Sequence, residues 1–343
     1  MKDRDQINTY LKALGTYGKV TTKERQPDVV LKFTTKKGQT KYLLDIKKYF
    51  ANMDAVTVAG QLIEKIKTLP DIKPMIATPY IRQNQAEALI KKGVDYFDLA
   101  GNVHIDAGGA LIHIEGKKPA GKPEHYKGRM LQRTGLQVLY ILLTQNEAIH
   151  WPYRHIAEAA NVVHGTVALV LKDMRAQGFV LGKGAHTKVA RKKELISLWV
   201  HGYINILRPK IVINRFRPQL KDIEQIMDML KKYFTSEARR FAITGTQAAY
   251  CLQHYYRDDR LTFFTDAVGT ELARHLKLIP DVNGTITHLN LFTDALITDV
   301  CKTLPLTHPL VTYAELLNNG TDRERDAANM LYEKYLKDIE NED

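Results

Sequence analysis

The sequence predicts a multidomain α/β chain, and three observations carry that expectation. Short runs with period-two alternation follow runs with helical spacing through the first third of the chain. A Gly-, Pro- and Lys-rich stretch, GKKPAGKPEHYKG over 116–128, interrupts them. The 343 residues also exceed the roughly 100–150 that one core commonly organises. We therefore divide the chain at 1–118, 128–193 and 194–343.

The first segment reads element by element. DQINTYLKALGTYG places Ile7, Leu11 and Leu14 at helical spacing. VVLKF and KYLLDIKKYF read as strands around the turn TTKKGQ. MDAVTVAGQLIEKIKTL is a helix with Pro70 beyond its end, KPMIAT a buried strand, and RQNQAEALIKKG a helix stopped by Gly93. VDYFDLAGNVHID and ALIHIEG complete a mixed sheet.

The second segment gives three helices, RMLQRTGLQVLYILLTQ, PYRHIAEAAN and HGTVALVLKDMRAQG, then strand-like FVLG. The third mixes helices such as LKDIEQIMDMLKKYF with strands RFAIT and LTFFT, and ends in DRERDAANMLYEKYLKDI.

Composition narrows the function classes. The 44% hydrophobic and 26% charged balance is that of a globular protein. No apolar run approaches the ~20 residues of a membrane span, and MKDRDQINTY lacks the apolar core of a signal peptide. The two cysteines, Cys251 and Cys301, form no metal-ligand spacing, so a reducing cytoplasm is expected. Net charge is +12, but its location says more. Residues 117–217 hold 18 Lys/Arg against 5 Asp/Glu, which makes the rest of the chain about neutral. A basic middle between neutral flanks is the footprint of a polyanion partner, which the winged-helix pattern below narrows to double-stranded DNA.

Three helices followed by a strand have the lengths of a winged helix-turn-helix. Pro152 suits the first turn of the second helix, and Ile156, Ala159 and Ala160 face the core. In the third helix Val167, Val170, Leu171 and Met174 form the buried stripe. His164, Thr166, Lys172 and Arg175 lie on the other face, where they can meet phosphates and base edges. GFVLGKGAHTKVARKK then reads as a hairpin wing carrying Lys183, His186, Lys188, Arg191, Lys192 and Lys193, cations that can grip the DNA backbone. A helical module used only for protein contacts is the competing reading.

The first segment raises a different chemistry. A turn centred at Lys36 or Lys37 sets Asp28 opposite Asp45 or Lys47, which are two apart on a strand and share a face; a two-residue Lys36-Lys37 loop would put Asp28 on that face too. Two carboxylates can share Mg²⁺ while a lysine stabilises the attacked phosphate. That arrangement, with the following helix and its Gln61, resembles a restriction-endonuclease-like domain. Asp28, Asp45 and Lys47 are thus candidate catalytic residues, and Asp28 and Asp45 candidate metal ligands. No third acid is secure, Asp5 and Glu24 being poorly placed, so the expectation is a nuclease-like sheet that does not cut. The alternative is a metal-dependent endonuclease targeted by the winged helix, and the plainest reading is a surface ion pair worth ~0–1 kcal/mol.

In the last segment AITGTQAAY followed by LTFFTD gives strand, Gly turn, helix, strand, an order that resembles the nucleotidyltransferase fold. That chemistry uses two carboxylates two residues apart on the second strand, and Phe264 stands where the first would precede Asp266. We expect a degenerate, inactive domain of that type, or an ordinary α/β core with Gly245 in a tight turn.

Four phrases, GVDYFDLAGNVHI, LWVHGYINILRPKIVINRFRP, AITGTQAAYCLQHYYRDDRLTFFTD and HPLVTYAELLNNGTDRERDAANMLYEKYL, spread across nearly the whole chain. Together they resemble the AbiEi-type antitoxin and transcriptional-regulator family of type IV toxin–antitoxin systems. The resemblance implies a winged-helix regulator that represses its own promoter and is encoded beside a nucleotidyltransferase-like toxin. It also implies that the toxin is opposed without a tight complex. The long N-terminal α/β domain sets this chain apart from the smallest family members.

Overall fold

The computed structural model describes residues 2–24, 29–47, 50, 55–67, 69, 71–107, 109–119, 128–220, 222–236, 240–266, 270–298, 301, 304–319 and 321–341. The chain is mixed α/β and divides into two compact units, Met1–Lys127 and Gly128–Asp343. Among the described residues, no helix is long and apolar enough to cross a membrane.

The first unit is a seven-stranded sheet whose spatial order follows the chain. Helix α1 (Lys2–Leu14) leads into β1 (Lys19–Glu24), β2 (Val29–Thr35) and β3 (Gly38–Ile46). These three form an antiparallel meander, with Thr35 opposite Gly38 across the two-residue turn that TTKKGQ predicts. Helix α2 (Ala55–Ile66) crosses to β4 (Ile72–Thr78), parallel to β3, and α3 (Gln83–Lys91) crosses to β5 (Asp95–Asp98), parallel to β4. Strands β6 (Val103–Ala107) and β7 (Ala110–Ile114) close the sheet as an antiparallel pair. One sheet face packs on α1 through Tyr10, Leu14, Leu31, Phe33, Leu44, Met75 and Phe97.

Two features differ from the sequence expectation. The KVTTKE segment forms β1 although Val20 is its only strongly apolar residue, because an edge strand needs just one buried neighbour row. The run VDYFDLAGNVHID is two strands, not one. Asp98 explains the break. Its carboxylate accepts the backbone N–H groups of Ile81 (3.0 Å) and Asn102 (2.8 Å) and the Asn102 side-chain amide (2.7 Å), which pins 99–102 as a turn. Burial raises the Asp98 carboxyl above its ordinary range.

The second unit is organised around α4 (Arg133–Thr144), buried on every side from Gly135 to Leu143. A helix apolar all round must sit inside a core. Its neighbours are α5 (Tyr153–Ala159) and α6 (His164–Ala176), then a hairpin of β8 (Val180–Leu181) and β9 (Lys188–Val189). Helix α7 (Lys192–Gly202) continues through a π turn at Tyr203–Leu207 into α8 (Arg208–Ile211). Next come β10 (Val212–Pro218), α9 (Ile223–Ser236), β11 (Phe241–Thr244), α10 (Gly245–Gln253), β12 (Leu261–Thr265) and α11 (Thr270–His275). The chain ends with β13 (Leu278–Pro280), β14 (Ile286–Asn290), β15 (Ile297–Thr298), β16 (Leu306–Thr307), α12 (Pro309–Asn319), α13 (Asp322–Leu331) and, after a second π turn, α14 (Lys337–Asn341). The sheet order is β13-β10-β14-β12-β11-β16-β15.

Helix α4 joins the helices before residue 193 to the sheet after it. The Gln137 amide donates both to the Ala160 carbonyl (3.2 Å) and to the Phe292 carbonyl (3.0 Å). Tyr140 donates to the Ala295 carbonyl (3.1 Å), and the Trp199 indole to the Leu136 carbonyl (2.8 Å). A methyl group on Gly202 would meet a Leu136 methyl at 2.5 Å, so a side chain at residue 202 would make Leu136 shift where α7 lies against α4.

Candidate nucleic-acid interface

Helix α6 buries Val167, Val170, Leu171 and Met174, the stripe its spacing predicts. On α5, Ile156 and Ala160 are buried as expected, while Ala159 is only partly covered. The outward strip of α6 is Gly165, Ala168, Leu169, Lys172 and Ala176, all exposed. Three of these five are small, so a partner can approach the helix backbone closely. His164 and Arg175 flank the strip and are exposed, whereas Thr166 is half-buried.

Hairpin β8–β9 stands beside α6 and exposes Lys183, His186 and Lys188. Its turn requires glycine. Gly182 has φ +80°, and a methyl there would lie 1.9 Å from the His186 carbonyl oxygen. Among the described residues, Lys172, Arg175, Lys183 and Lys188 have no carboxylate partner. The nearby acids are occupied elsewhere: Asp173 accepts the Met130 N–H (3.1 Å), and Glu158 pairs with Arg154 (3.0 Å). The face is therefore positive and unneutralised.

Arg191 and Lys192 sit differently from the expectation of a longer hairpin. The second strand ends at Val189, and Lys192 opens α7, half-buried. Arg191 takes the left-handed conformation (φ 56°) between them. Its guanidinium donates to Glu194 (3.0 Å) and to the Gln177 carbonyl (3.0 Å), and it lies 4.6 Å from the Phe179 ring centre. Arg191 thus clasps hairpin, α6 and α7 together. Lys193 lies over the Tyr332 ring at 5.7 Å.

Sequence reasoning left out the apolar members of this surface. Leu169 is 47% exposed and Val163, which caps α6, is 79% exposed. The signal was present, since Leu169 falls off the buried stripe by one residue from Val170.

In the first unit, Asp45 and Lys47 share a face and form an ion pair at 3.2 Å. Lys47 continues the strand through its N–H to the Ala77 carbonyl (2.8 Å). Asp28 lies outside the described residues. Among those described, no group of three or more His, Cys, Asp or Glu could hold a metal ion. Of the two candidate ligands the described residues therefore contain one, Asp45, and it faces Lys47.

In the second unit, Phe264 is fully buried and Asp266 pairs with Arg240 (3.3 Å) at the end of β12. The same unit holds a buried ionic group. Arg208 donates twice to the buried Glu315 (2.8 and 3.0 Å), which also accepts the Tyr203 hydroxyl (2.5 Å). These three come from the phrases LWVHGYINILRPK and HPLVTYAELL.

Residues 188–337 match the family described as "Transcriptional regulator, AbiEi antitoxin, Type IV TA system". The match covers three of the four phrases that carry the resemblance and leaves out GVDYFDLAGNVHI, so the family likeness lies in the second unit. No curated protein and no solved structure matches the chain significantly.

Proposed function

We propose that this protein is a DNA-binding transcriptional regulator with the role of a type IV antitoxin, and that residues 128–193 act as a winged helix-turn-helix. The observation that carries the reading is the outward face of α6 with its neighbouring hairpin: Lys172, Arg175, Lys183 and Lys188 project without carboxylate partners around a strip of small side chains. A helix so built can enter a major groove, where a lysine reads guanine and an aliphatic group meets a thymine methyl. His164, Thr166 and His186 stand at its margins. The family match over 188–337 supports the regulator and antitoxin role, and with it a toxin partner. We assign that toxin to a nucleotidyltransferase-like gene product encoded nearby, and the regulator to the cytoplasm.

For the first unit we infer a restriction-endonuclease-like sheet that does not cleave. Its support is the order helix, three-stranded meander, helix, parallel strand, with Asp45 on β3 paired to Lys47 just past its end. The degenerate nucleotidyltransferase reading of the last segment rests on Gly245 after β11 and on Asp266 directly after β12, with Phe264 where a second carboxylate would stand.

The direct test is binding of the full chain to the DNA upstream of its own gene, measured against random duplex. Selective binding that Lys172→Ala weakens supports the proposal. Equal binding to both DNAs, or none to either, rejects sequence reading by α6.

A further inference from the structure

We propose that the outward face of β1–β3 in the first unit is a second binding surface, which takes the phosphate backbone of a nucleic acid. The strand register builds it. Lys19 stands opposite Thr34, and Thr34 opposite Gln39; Thr21 stands opposite Lys32, and Lys32 opposite Lys41. Residues paired across a sheet point to the same side. The result is a grid of two rows and three strands, holding three lysines, two threonines and a glutamine. All six are exposed except the half-buried Thr34.

Lys32 directly opposite Lys41 is the informative pair. Like charges at that spacing destabilise a sheet. Among the described residues no carboxylate neutralises Lys19, Lys32 or Lys41. A surface built only for solubility would intersperse both signs. Lys32 and Lys41 also line a concavity of about 420 Å³ with Gln39, Asp71 and Lys73. Asp71 is its single acid, and Lys73 is already engaged by Asp106, through the carboxylate (3.8 Å) and the backbone carbonyl (2.7 Å).

The ligand class follows from the donors. Lysine, threonine and glutamine are side chains that hold phosphate oxygens, and none of the six carries a negative charge to repel them. A flat row of cations with hydroxyl and amide donors suits a repeating anion. Charge counting alone hides this surface, because residues 1–116 hold 18 Lys/Arg against 13 Asp/Glu. The face becomes legible only through the register.

The inference does not depend on α6 and is tested with the full chain on random-sequence DNA. Wild type is compared with Lys41→Gln and with Lys32→Gln/Lys41→Gln, by salt-dependent binding and by thermal unfolding with and without DNA. Binding of the double variant should be several-fold weaker at low salt, with a log–log salt slope shallower by about 1–2, given about 0.9 per neutralised phosphate. Both variants should unfold at a higher temperature than wild type without DNA, since the like-charge opposition is gone, and should gain less from added DNA. A Lys172→Ala protein should keep this contribution. Unchanged slope and affinity in the double variant would overturn the proposal, as would competition by poly-glutamate or by inorganic phosphate, at matched ionic strength, equal to that by DNA.

Discussion

Arg191 and Lys172 are both cations of the basic middle segment, yet their surroundings give them different work. Arg191 is held by Glu194, by the Gln177 carbonyl and by the Phe179 ring, so Arg191→Ala should lower the unfolding temperature of the second unit as well as DNA affinity. Lys172 touches no such partner, and Lys172→Ala should leave that temperature within a degree or two while reducing discrimination between operator and random DNA. A lost base contact costs about 1–3 kcal/mol. Leu169 adds a chemical signature. If its exposed side chain meets a thymine methyl, replacing operator thymines by deoxyuridine should weaken wild-type binding several-fold and leave Leu169→Ala indifferent. Equal sensitivity of both proteins would remove Leu169 from the readout. Buried ionisable groups make a second set of residue-scale expectations. Glu315 lies at 1% exposure between Arg208 and Tyr203, so Glu315→Ala, which strands the guanidinium, should cost about 3–5 kcal/mol in denaturant unfolding. Burial lowers the His288 imidazole to about 4, and that of His308 likewise. A histidine kept neutral when folded binds fewer protons than the unfolded chain between about 4 and 6.5. Its contribution is therefore complete above pH 6.5 and is lost as pH falls toward 4. Unfolding of the second unit should become easier over that window, and less steeply so in His288→Phe.

At the scale of elements, periodic segments were legible and polar or composite ones were not. The α6 stripe at Val167, Val170, Leu171 and Met174 follows from spacing alone, and a turn in TTKKGQ was legible to within a residue, its centre at Lys36-Lys37 coming from the strand register. Strand β1 is missed because KVTTKE has too little apolar content to alternate. The 95–107 hairpin is missed because its turn is made by Asp98 accepting three donors, an arrangement without a periodic signal. The hairpin β8–β9 is legible as a basic loop, but its end is not. Helix α7 begins at Lys192 because Leu195, Ile196, Leu198 and Trp199 need burial against the body of the unit, which outweighs the run of cations before them. The candidate interface was thus readable in its charges and unreadable in which cations are tied down. The Asp45–Lys47 corner belongs to this scale too. Supplying Mg²⁺ or Mn²⁺ to the full chain with supercoiled DNA should give no nicking above background, because the sequence offers no secure third acid beside Asp28 and Asp45. Metal-dependent nicking that vanishes in Asp45→Ala would restore the nuclease reading.

Across the whole molecule, a chain with net charge +12 places its cations where strand register and helix phase gather them: on α6, on the β8–β9 hairpin and on the sheet face of the first unit. The buried helix α4 ties the helices before residue 193 to the C-terminal sheet, through the Gln137 bonds to Ala160 and Phe292 and the Tyr140 bond to Ala295. The family match lies in that C-terminal part, over 188–337, whereas the surface proposed to read DNA lies mostly before it. The central claim is therefore that α6 reads sequence. It is tested most directly by fluorescence anisotropy of the full chain on labelled duplexes, one from upstream of its own gene and one random, over a salt series, for wild type and Lys172→Ala/Arg175→Ala. The account predicts tighter wild-type binding to the upstream duplex and affinity that falls steeply with salt on both. It also predicts that the double variant binds the two duplexes almost alike. A wild-type protein that binds both duplexes equally, or a double variant that keeps the full preference, would contradict it.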